Sequence, residues 1–158
     1  IVMTDTNNFA HAAMLIRKPV EQVFMAFTNP EITTKFWFTK STGILDKGRT
    51  VDWTWEMYDH TVPVHVLKII TNELLIVEWG SGDKKQLVEW EFKALDDYRT
   101  FVSITNTGFT GTPDEILSGI RDSTGGFSWV LAGLKAYLEH GIELNLVGDR
   151  YPKELGNH

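Results

Sequence analysis

Histidine and hydroxyl side chains are the residues from which metal binding or hydrolysis could be built in this chain. It has five histidines, and no two of them stand at the HxH or HxxxH spacing that would place two metal ligands on one face. They are His11, His60, His65, His140 and His158. Ser81 stands in Gly80-Ser81-Gly82, which lacks the G-x-S-x-G form of a nucleophile elbow and is typical of a hairpin turn. The sequence therefore predicts no catalytic residue, no metal site and no cofactor.

Acid–base chemistry in a dry pocket needs a carboxylate or a histidine that points inward. The acidic residues in the middle of the chain alternate with large apolar residues, so the pattern places them on the solvated face of their strands. They are Asp52, Glu56, Glu78, Glu89 and Glu91. The pattern does not fix the facing of His65 and Tyr98, and a bulge near Pro63 would turn His65 inward. In that position His65 could orient a hydroxyl or carbonyl group of a ligand.

Large aromatic side chains are the more distinctive candidates, since the chain has six Trp, nine Phe and four Tyr. Tryptophans on several strands share one parity, and further aromatics stand at a helix end and in a loop, where the mouth of a cavity would lie. These rings either fill the core or line a pocket for a small apolar or aromatic ligand, because such pockets are mostly apolar with few polar groups. The predicted ligand-binding residues are Trp37, Phe38, Trp53, Trp55, Met57, His65, Trp79, Trp90, Phe109, Trp129 and Leu134.

The elements that would position these residues follow a clear order. A first strand is predicted over residues 9–18, and Pro19 then opens a helix that Asn29-Pro30 ends. The same pair can cap a second short helix. Between residues 42 and 107 the apolar pattern has period two and short turns separate the runs, which predicts an antiparallel meander. Pro63 predicts that the strand over residues 61–70 lies near an edge or carries a bulge.

The C-terminal third is predicted to be helical. Thr112-Pro113-Asp114-Glu115 has the form of a capping box, and Gly125-Gly126 is expected to interrupt the helix that it begins. The longest helix follows, with Gly141 as its stop. Its apolar stripe consists of Phe127, Leu131, Leu134 and Leu138. The sequence thus predicts an α+β fold, in which a curved antiparallel sheet wraps around a long C-terminal helix and two short helices follow the first strand.

Composition restricts the partners and the setting. The 158 residues suit one domain over 1–158, and the lack of cysteine excludes disulfides and thiolate metal sites. The formal net charge of -6, without a cluster of lysine or arginine, argues against nucleic acid and anionic membranes. The opening IVMTDTNN lacks a signal pattern and no apolar run approaches bilayer length, so a cytoplasmic location is expected.

Three stretches carry a family resemblance. RKPVEQVFMAFTNPE, followed by FWF, resembles the N-terminal signature of the activator of heat-shock protein 90 ATPase-like family, within the START and birch-pollen-allergen (SRPBCC) superfamily. SWVLAGLKAYLEHG resembles the family's C-terminal helix, and TNTGF resembles its last strand and exit. The resemblance spans about residues 9–146 and implies a helix-grip domain. The family's usual glycine early in the fourth strand is replaced by Thr61-Val62-Pro63.

The resemblance leaves three functions open. It implies an apolar ligand held between helix and sheet, while some branches of the superfamily perform cyclase or dehydratase chemistry and the family name comes from co-chaperones. We favour a non-enzymatic pocket over an enzyme that uses the same cavity and over a protein-interaction module with a chaperone partner. The positions of His65 and Glu78 relative to the cavity separate the first two, and a large exposed apolar patch would favour the third. The chain is expected to be a monomer or a homodimer.

Overall fold

A computed structural model describes residues 8–156, in which seven strands form one antiparallel sheet around a long helix. The strands are β1 (Ala10–Ile16), β2 (Lys40–Ser41), β3 (Thr50–Trp55), β4 (His60–Ile70), β5 (Leu74–Trp79), β6 (Gln86–Asp96) and β7 (Arg99–Thr107). The helices are α1 (Val20–Thr28), α2 (Pro30–Thr33), α3 (Pro113–His140) and α4 (Leu146–Asp149). The strand order is β1-β7-β6-β5-β4-β3-β2, so the predicted helix-grip α+β architecture is confirmed.

The two short helices after β1 form as predicted. Pro19 takes the N-cap position of α1 rather than the first helical position. Asn29 then ends α1 and caps α2, because its Oδ1 accepts a hydrogen bond of 3.0 Å from the Glu31 N–H. Both helices pack their apolar side chains, including Phe24 and Phe27, under the concave face of the sheet.

The alternation in β3 ends earlier than the sequence suggests. Trp53 and Trp55 face inward as predicted, but residues 56–58 form a 3₁₀ turn. Asp59 takes the left-handed conformation there, with φ of 48°, and the chain reverses into β4. Met57 therefore does not continue the strand as predicted, but its half-buried side chain still packs against the core.

Pro63 lies inside the sheet and not at an edge or a bulge, because β4 is paired with both β3 and β5. Its carbonyl accepts a hydrogen bond of 3.3 Å from the Gly80 N–H, just past the last residue of β5. The backbone N–H that proline lacks would point towards β5, on the same side as this carbonyl. The ladder with β5 ends at this position, so the missing N–H breaks no hydrogen bond within the ladder. The register shift lies between Val66 and Lys68, so it leaves the parity around His65 unchanged.

α3 is one continuous helix, and the predicted interruption at Gly125-Gly126 is wrong. The predicted capping box at Thr112 is present, and Gly141 ends the helix in the left-handed conformation. Two glycines inside a helix cost about 2 kcal/mol relative to alanine. Burial of the stripe that includes Phe127 and Leu131 outweighs this cost, since each buried large apolar side chain contributes about 1.5–3 kcal/mol.

A charged contact holds the C-terminal half of α3 on β1. The Lys135 ammonium donates to the Leu15 carbonyl at 2.8 Å and to the Glu139 carboxylate at 2.7 Å. The same carboxylate accepts from the Arg17 N–H at 2.9 Å, and the Glu139 side chain is only 9% exposed. This end of the helix therefore closes tightly on the sheet. Within residues 8–156, no helix is long and apolar enough to cross a bilayer.

Candidate ligand-binding cavity

The main cavity is a space of 580 Å³ between the middle of α3 and the end of the sheet where the β3–β4 and β5–β6 turns meet. Its apolar walls come from the loop after α2, the end of β5, the loop after β7, α3 and α4. These residues are Trp37, Trp79, Phe109, Phe127, Trp129, Val130 and Val147. A volume of this size lies within the range of about 300–1,000 Å³ that is usual for small-molecule sites.

Trp37 separates the cavity from the filled half of the core. On the cavity side, its ring centroid lies 5.7 Å from that of Phe127 and 6.2 Å from that of Trp79. On the core side, it lies 5.0 Å from Trp53 and 6.1 Å from Trp90. The space between helix and sheet is thus packed on one side of Trp37 and open on the other.

A polar network lines the inner end of the cavity. Asn106 is only 1% exposed, and its amide donates to the Leu87 carbonyl at 2.9 Å while its Oδ1 accepts from the Ser123 hydroxyl at 2.7 Å. Gln86 Oε1 accepts from the Asn106 amide and from the Trp79 indole N–H, each at 3.3 Å. The network ties β6 and β7 to α3 and fixes the Trp79 ring against the cavity.

A second space of 520 Å³, the side cavity, adjoins the main cavity. The two share five lining residues, namely Tyr58, His60, Trp79, Gln86 and Val147. The side cavity continues along the β3–β4 turn, where Trp55 and Val62 form its wall. The Trp55 and His60 rings lie 6.0 Å apart across that turn.

Residues 146–151, the closing segment, fold back over the mouth of the main cavity. The Tyr58 hydroxyl donates to the Val147 carbonyl, and its ring meets the Tyr151 ring edge-on at 6.0 Å. Burial raises the pKa of the Tyr58 hydroxyl above its ordinary value. The Arg150 guanidinium stacks 4.4 Å above the Tyr151 ring centroid. The Tyr58 hydroxyl also lies 3.5 Å from the Gly148 carbonyl, so hydrogen bonds to this hydroxyl and ring contacts hold the closing segment.

Five of the predicted site residues face the two large cavities. Trp37, Trp79, Phe109 and Trp129 line the main cavity, and Trp55 lines the side cavity. Met57 lines neither of them and instead contributes to a pocket of 80 Å³ beside residues 143–148.

Four other predicted residues are buried in the packed half of the core and line neither large cavity. They are Phe38, Trp53, Trp90 and Leu134. Trp53 illustrates the reason, since its ring is stacked on Phe38 at 4.4 Å and 18° and leaves no room for a ligand. Strand parity gives the face of a residue, but it does not give the residue's position along the length of the cavity.

His65 lies on the outer face of the sheet, so its predicted inward role is wrong. Its Nδ1 is 2.7 Å from the Thr50 Oγ1, and it pairs across β4 and β5 with Glu78. The Glu78 carboxylate lies 3.8 Å from the Lys85 ammonium, also outside the cavity. The intact parity between residues 62 and 66 causes this placement.

The sequence reasoning missed most of the polar lining. His60 stands five positions before the outward-facing His65, and this odd spacing places it on the inner face. Asn106 follows Ile104 by two positions in β7, so the same parity could have identified it as an inward polar residue. Arg150 and Tyr58 lie in irregular segments, where no periodic signal exists. Across residues 8–156, no three His, Asp or Glu side chains are grouped closely enough to hold a metal ion.

The chain is similar to a family model and to several solved structures. Residues 17–139 match the model described as Activator of Hsp90 ATPase homolog 1-like protein. A crystal structure from Staphylococcus saprophyticus has a TM-score of 0.72 and 26% identity, over 86% of this chain and 95% of that chain. The Aha1 dimer from Colwellia psychrerythraea has a TM-score of 0.73 and 18% identity, over 84% and 97%.

An HSP90 activator from Plasmodium falciparum is also similar, with a TM-score of 0.66 and 16% identity over 83% of this chain and 96% of that chain. No curated protein matches the sequence. The matched residues 17–139 contain α1, α2, strands β2 to β7 and all but the last residue of α3. The chain belongs to the family of Activator of Hsp90 ATPase homolog 1-like proteins.

Proposed function

We propose that the chain binds one small apolar or aromatic molecule in the main cavity, without transforming it. The observation that carries this proposal is a space of 580 Å³ walled by Trp37, Trp79 and Phe127, beside a core of buried aromatic and aliphatic side chains. Protein interiors are normally close-packed, and an aromatic-walled opening of this size is typical of a ligand site.

The helix side of the cavity supports the proposal. Gly125 and Gly126 line the cavity, and a Cβ atom added at either position would meet no other atom within 4 Å. A larger side chain at Gly126 would therefore enter the cavity, because Ser123 and Val130 on the same face of α3 line it. The two glycines weaken the helix and leave the cavity open at the same place.

Ligand binding is favoured over a cyclase or dehydratase reaction. His65 and Glu78, whose positions were expected to separate a pocket from an enzyme, both lie on the outer face of the sheet. His60 and Asp122 line the cavity, but both side chains are exposed rather than buried in a dry pocket. The polar groups at the inner end, Asn106 and Gln86, do not titrate, which suits them to orienting a ligand rather than to proton transfer.

A protein-interaction role is the second candidate. It is supported by the family description and by the similar structures of an HSP90 activator and of an Aha1 dimer. In that role, the chain would bind a chaperone or a second copy of itself. The lack of cysteine is compatible with a cytoplasmic setting for either role.

Tryptophan fluorescence tests the proposal, because Trp79 and Trp37 line the cavity. Titration with the neutral probe N-phenyl-1-naphthylamine should give saturable quenching with one site per chain. Gly126→Leu should abolish it by filling the cavity, because Gly126 lies on the same face of α3 as Ser123 and Val130, which line the cavity. Ser118→Leu, on the exposed face of the same helix, serves as the control and should bind like wild type. Equal binding by Gly126→Leu and wild type would disprove the proposed site.

A further inference from the structure

The ionisable side chains around the cavity are mostly cationic, although the chain has a net charge of -6. Arg121, Arg150 and Asp122 line the main cavity, and Lys84 lines the side cavity. The Lys84 charge is partly matched, since it lowers the pKa of the nearby Glu115 carboxyl together with the dominant hydrogen bonds from Thr112. The question is therefore which negatively charged group pairs with Arg121 and Arg150.

Neither arginine forms an ion pair within residues 8–156. The ion pairs in this part of the chain use Lys40, Lys85, Arg99 and Lys135. Asp149, next to Arg150 in sequence, instead accepts a hydrogen bond of 2.9 Å from the Asn145 amide. The Arg150 guanidinium is held over the Tyr151 ring, which positions it at the mouth without neutralising it.

The inner end of the cavity is a less favourable place for a charged group than the mouth. Asn106 and Gln86 already bond to each other, and Ser123 and Trp79 complete their network. An ion placed there would displace these bonds and lose its hydration inside an aromatic-walled space. An apolar ring fits this end, whereas an anion fits the mouth, where guanidinium groups can bind a carboxylate or sulfonate through two parallel hydrogen bonds.

We propose that the cavity selects amphipathic anions, with the ring body against Trp79 and Phe127 and the acidic group at the mouth beside Arg150 and Arg121. This inference rests on the proposed function and specifies its ligand class. Neutral molecules of the same shape would gain nothing from the arginines.

Two fluorescent probes with the same anilinonaphthalene rings test the inference. 8-Anilinonaphthalene-1-sulfonate carries a sulfonate, and N-phenyl-1-naphthylamine does not. Arg150→Gln should weaken sulfonate binding about tenfold, as expected for loss of one charge-assisted contact, and change neutral binding less than about twofold. Arg121→Gln should act in the same direction. Raising the salt from about 0.05 M to about 0.5 M should weaken only the sulfonate.

Lys153→Gln is the matched control, because Lys153 is an exposed cation that lines neither cavity. Gly126→Leu should abolish binding of both probes, which separates cavity binding from adhesion to exposed surfaces. Two results together would overturn this inference but not the proposed function. The neutral probe would bind saturably, and the affinity for the sulfonate would be the same in both arginine variants and at both salt concentrations. Failure of both probes to saturate at one site would overturn both. If Arg150→Gln does not fold, Arg121→Gln and the salt series give the answer.

Discussion

The ring of Trp79 lies parallel to that of Phe127, with centroids 5.7 Å apart and planes 12° apart. Trp79 ends β5 and Phe127 lies in the middle of α3, so this stack joins the sheet to the helix. Both rings also line the main cavity. The contact that closes the fold at this point is therefore also the wall against which a ligand would rest.

Matched substitutions of two tryptophans should separate binding from stability. Trp79→Phe removes the cavity-facing indole and its bond to Gln86, so it should weaken binding of N-phenyl-1-naphthylamine about tenfold, or about 1.4 kcal/mol. Trp90→Phe should lower the free energy of unfolding by about 1–3 kcal/mol through a new void, because Trp90 is fully buried. Binding to Trp90→Phe should remain within about twofold of wild type.

Urea unfolding and the probe titration measure the two effects. The Trp90 indole N–H has no hydrogen-bond partner in the described part of the chain, and its removal will offset part of the cost. A large loss of binding in a folded Trp90→Phe protein would contradict the separation of core and cavity at Trp37.

Replacement of two glycines in α3 by alanine should change the free energy of unfolding in opposite directions. Gly125→Ala should raise the free energy of unfolding by up to about 1 kcal/mol, because a Cβ there meets nothing within 4 Å and alanine favours the helix. Gly133→Ala should lower it, because the added Cβ would lie 3.2 Å from the Phe36 Cβ and 3.3 Å from its carbonyl oxygen. Thermal and denaturant unfolding check both signs, and stabilisation by Gly133→Ala would show that α3 packs less closely on Phe36 than described.

Tyr58→Phe should loosen the closing segment. The variant keeps the ring contact with Tyr151 but loses the hydroxyl that donates to Val147, so the rate of probe dissociation should rise severalfold. Amide exchange within residues 146–151 should accelerate, while exchange in β6 should not change.

The raised pKa of Tyr58 gives this contact a pH dependence. Its contribution to stability is complete below the ordinary pKa of 10.0 and is lost as the pH rises through the higher folded value. Wild type should thus approach the dissociation rate of Tyr58→Phe only under strongly alkaline conditions. Equal dissociation rates at neutral pH would contradict a role for the hydroxyl.

The Glu139 contact should stabilise the folded protein at neutral pH and lose this effect at low pH. Burial alone would raise the pKa of this carboxyl, but the Arg17 N–H and the Lys135 ammonium lower it below the ordinary value of 4.5. The contribution is therefore complete above pH 4.5 and disappears as the pH falls through the lower folded pKa. Glu139→Gln should cost about 1–3 kcal/mol at neutral pH and much less in acid.

Denaturant unfolding at a series of pH values measures this difference. Glu91→Gln, on the exposed outer face of the sheet, is the control and should give a small difference at every pH. A cost of Glu139→Gln that does not change with pH would show that packing, and not charge, holds the end of α3 on β1.

Periodicity predicted the faces of the sheet correctly, but it could not predict where the core stops. Trp53 and Trp79 share the inner face, yet only Trp79 reaches the cavity, because their positions along the helix differ. Local rules failed where pairing or packing overrides them. Pro63 is tolerated where the ladder with β5 ends, and Gly125-Gly126 stays helical because the flanking stripe is buried.

The mouth of the cavity could not be predicted because it is built from irregular segments. Tyr58 and Arg150 meet across 92 positions in the chain, and neither lies in a periodic pattern. His60 and Asn106 could have been predicted as inward-facing residues, because each continues the inner parity of a predicted strand. Their polar character at inward positions was the available signal.

The indole N–H signals of the six tryptophans in a ¹H–¹⁵N spectrum test the central claim most directly. During titration with N-phenyl-1-naphthylamine, Trp79 and Trp129 should shift most, because they line the main cavity. Trp53 and Trp90 should shift least, because they lie in the packed core. This pattern, saturating at one probe per chain, is the result that an internal ligand site predicts. Six unchanged signals, or shifts as large for Trp53 and Trp90 as for Trp79, would contradict it.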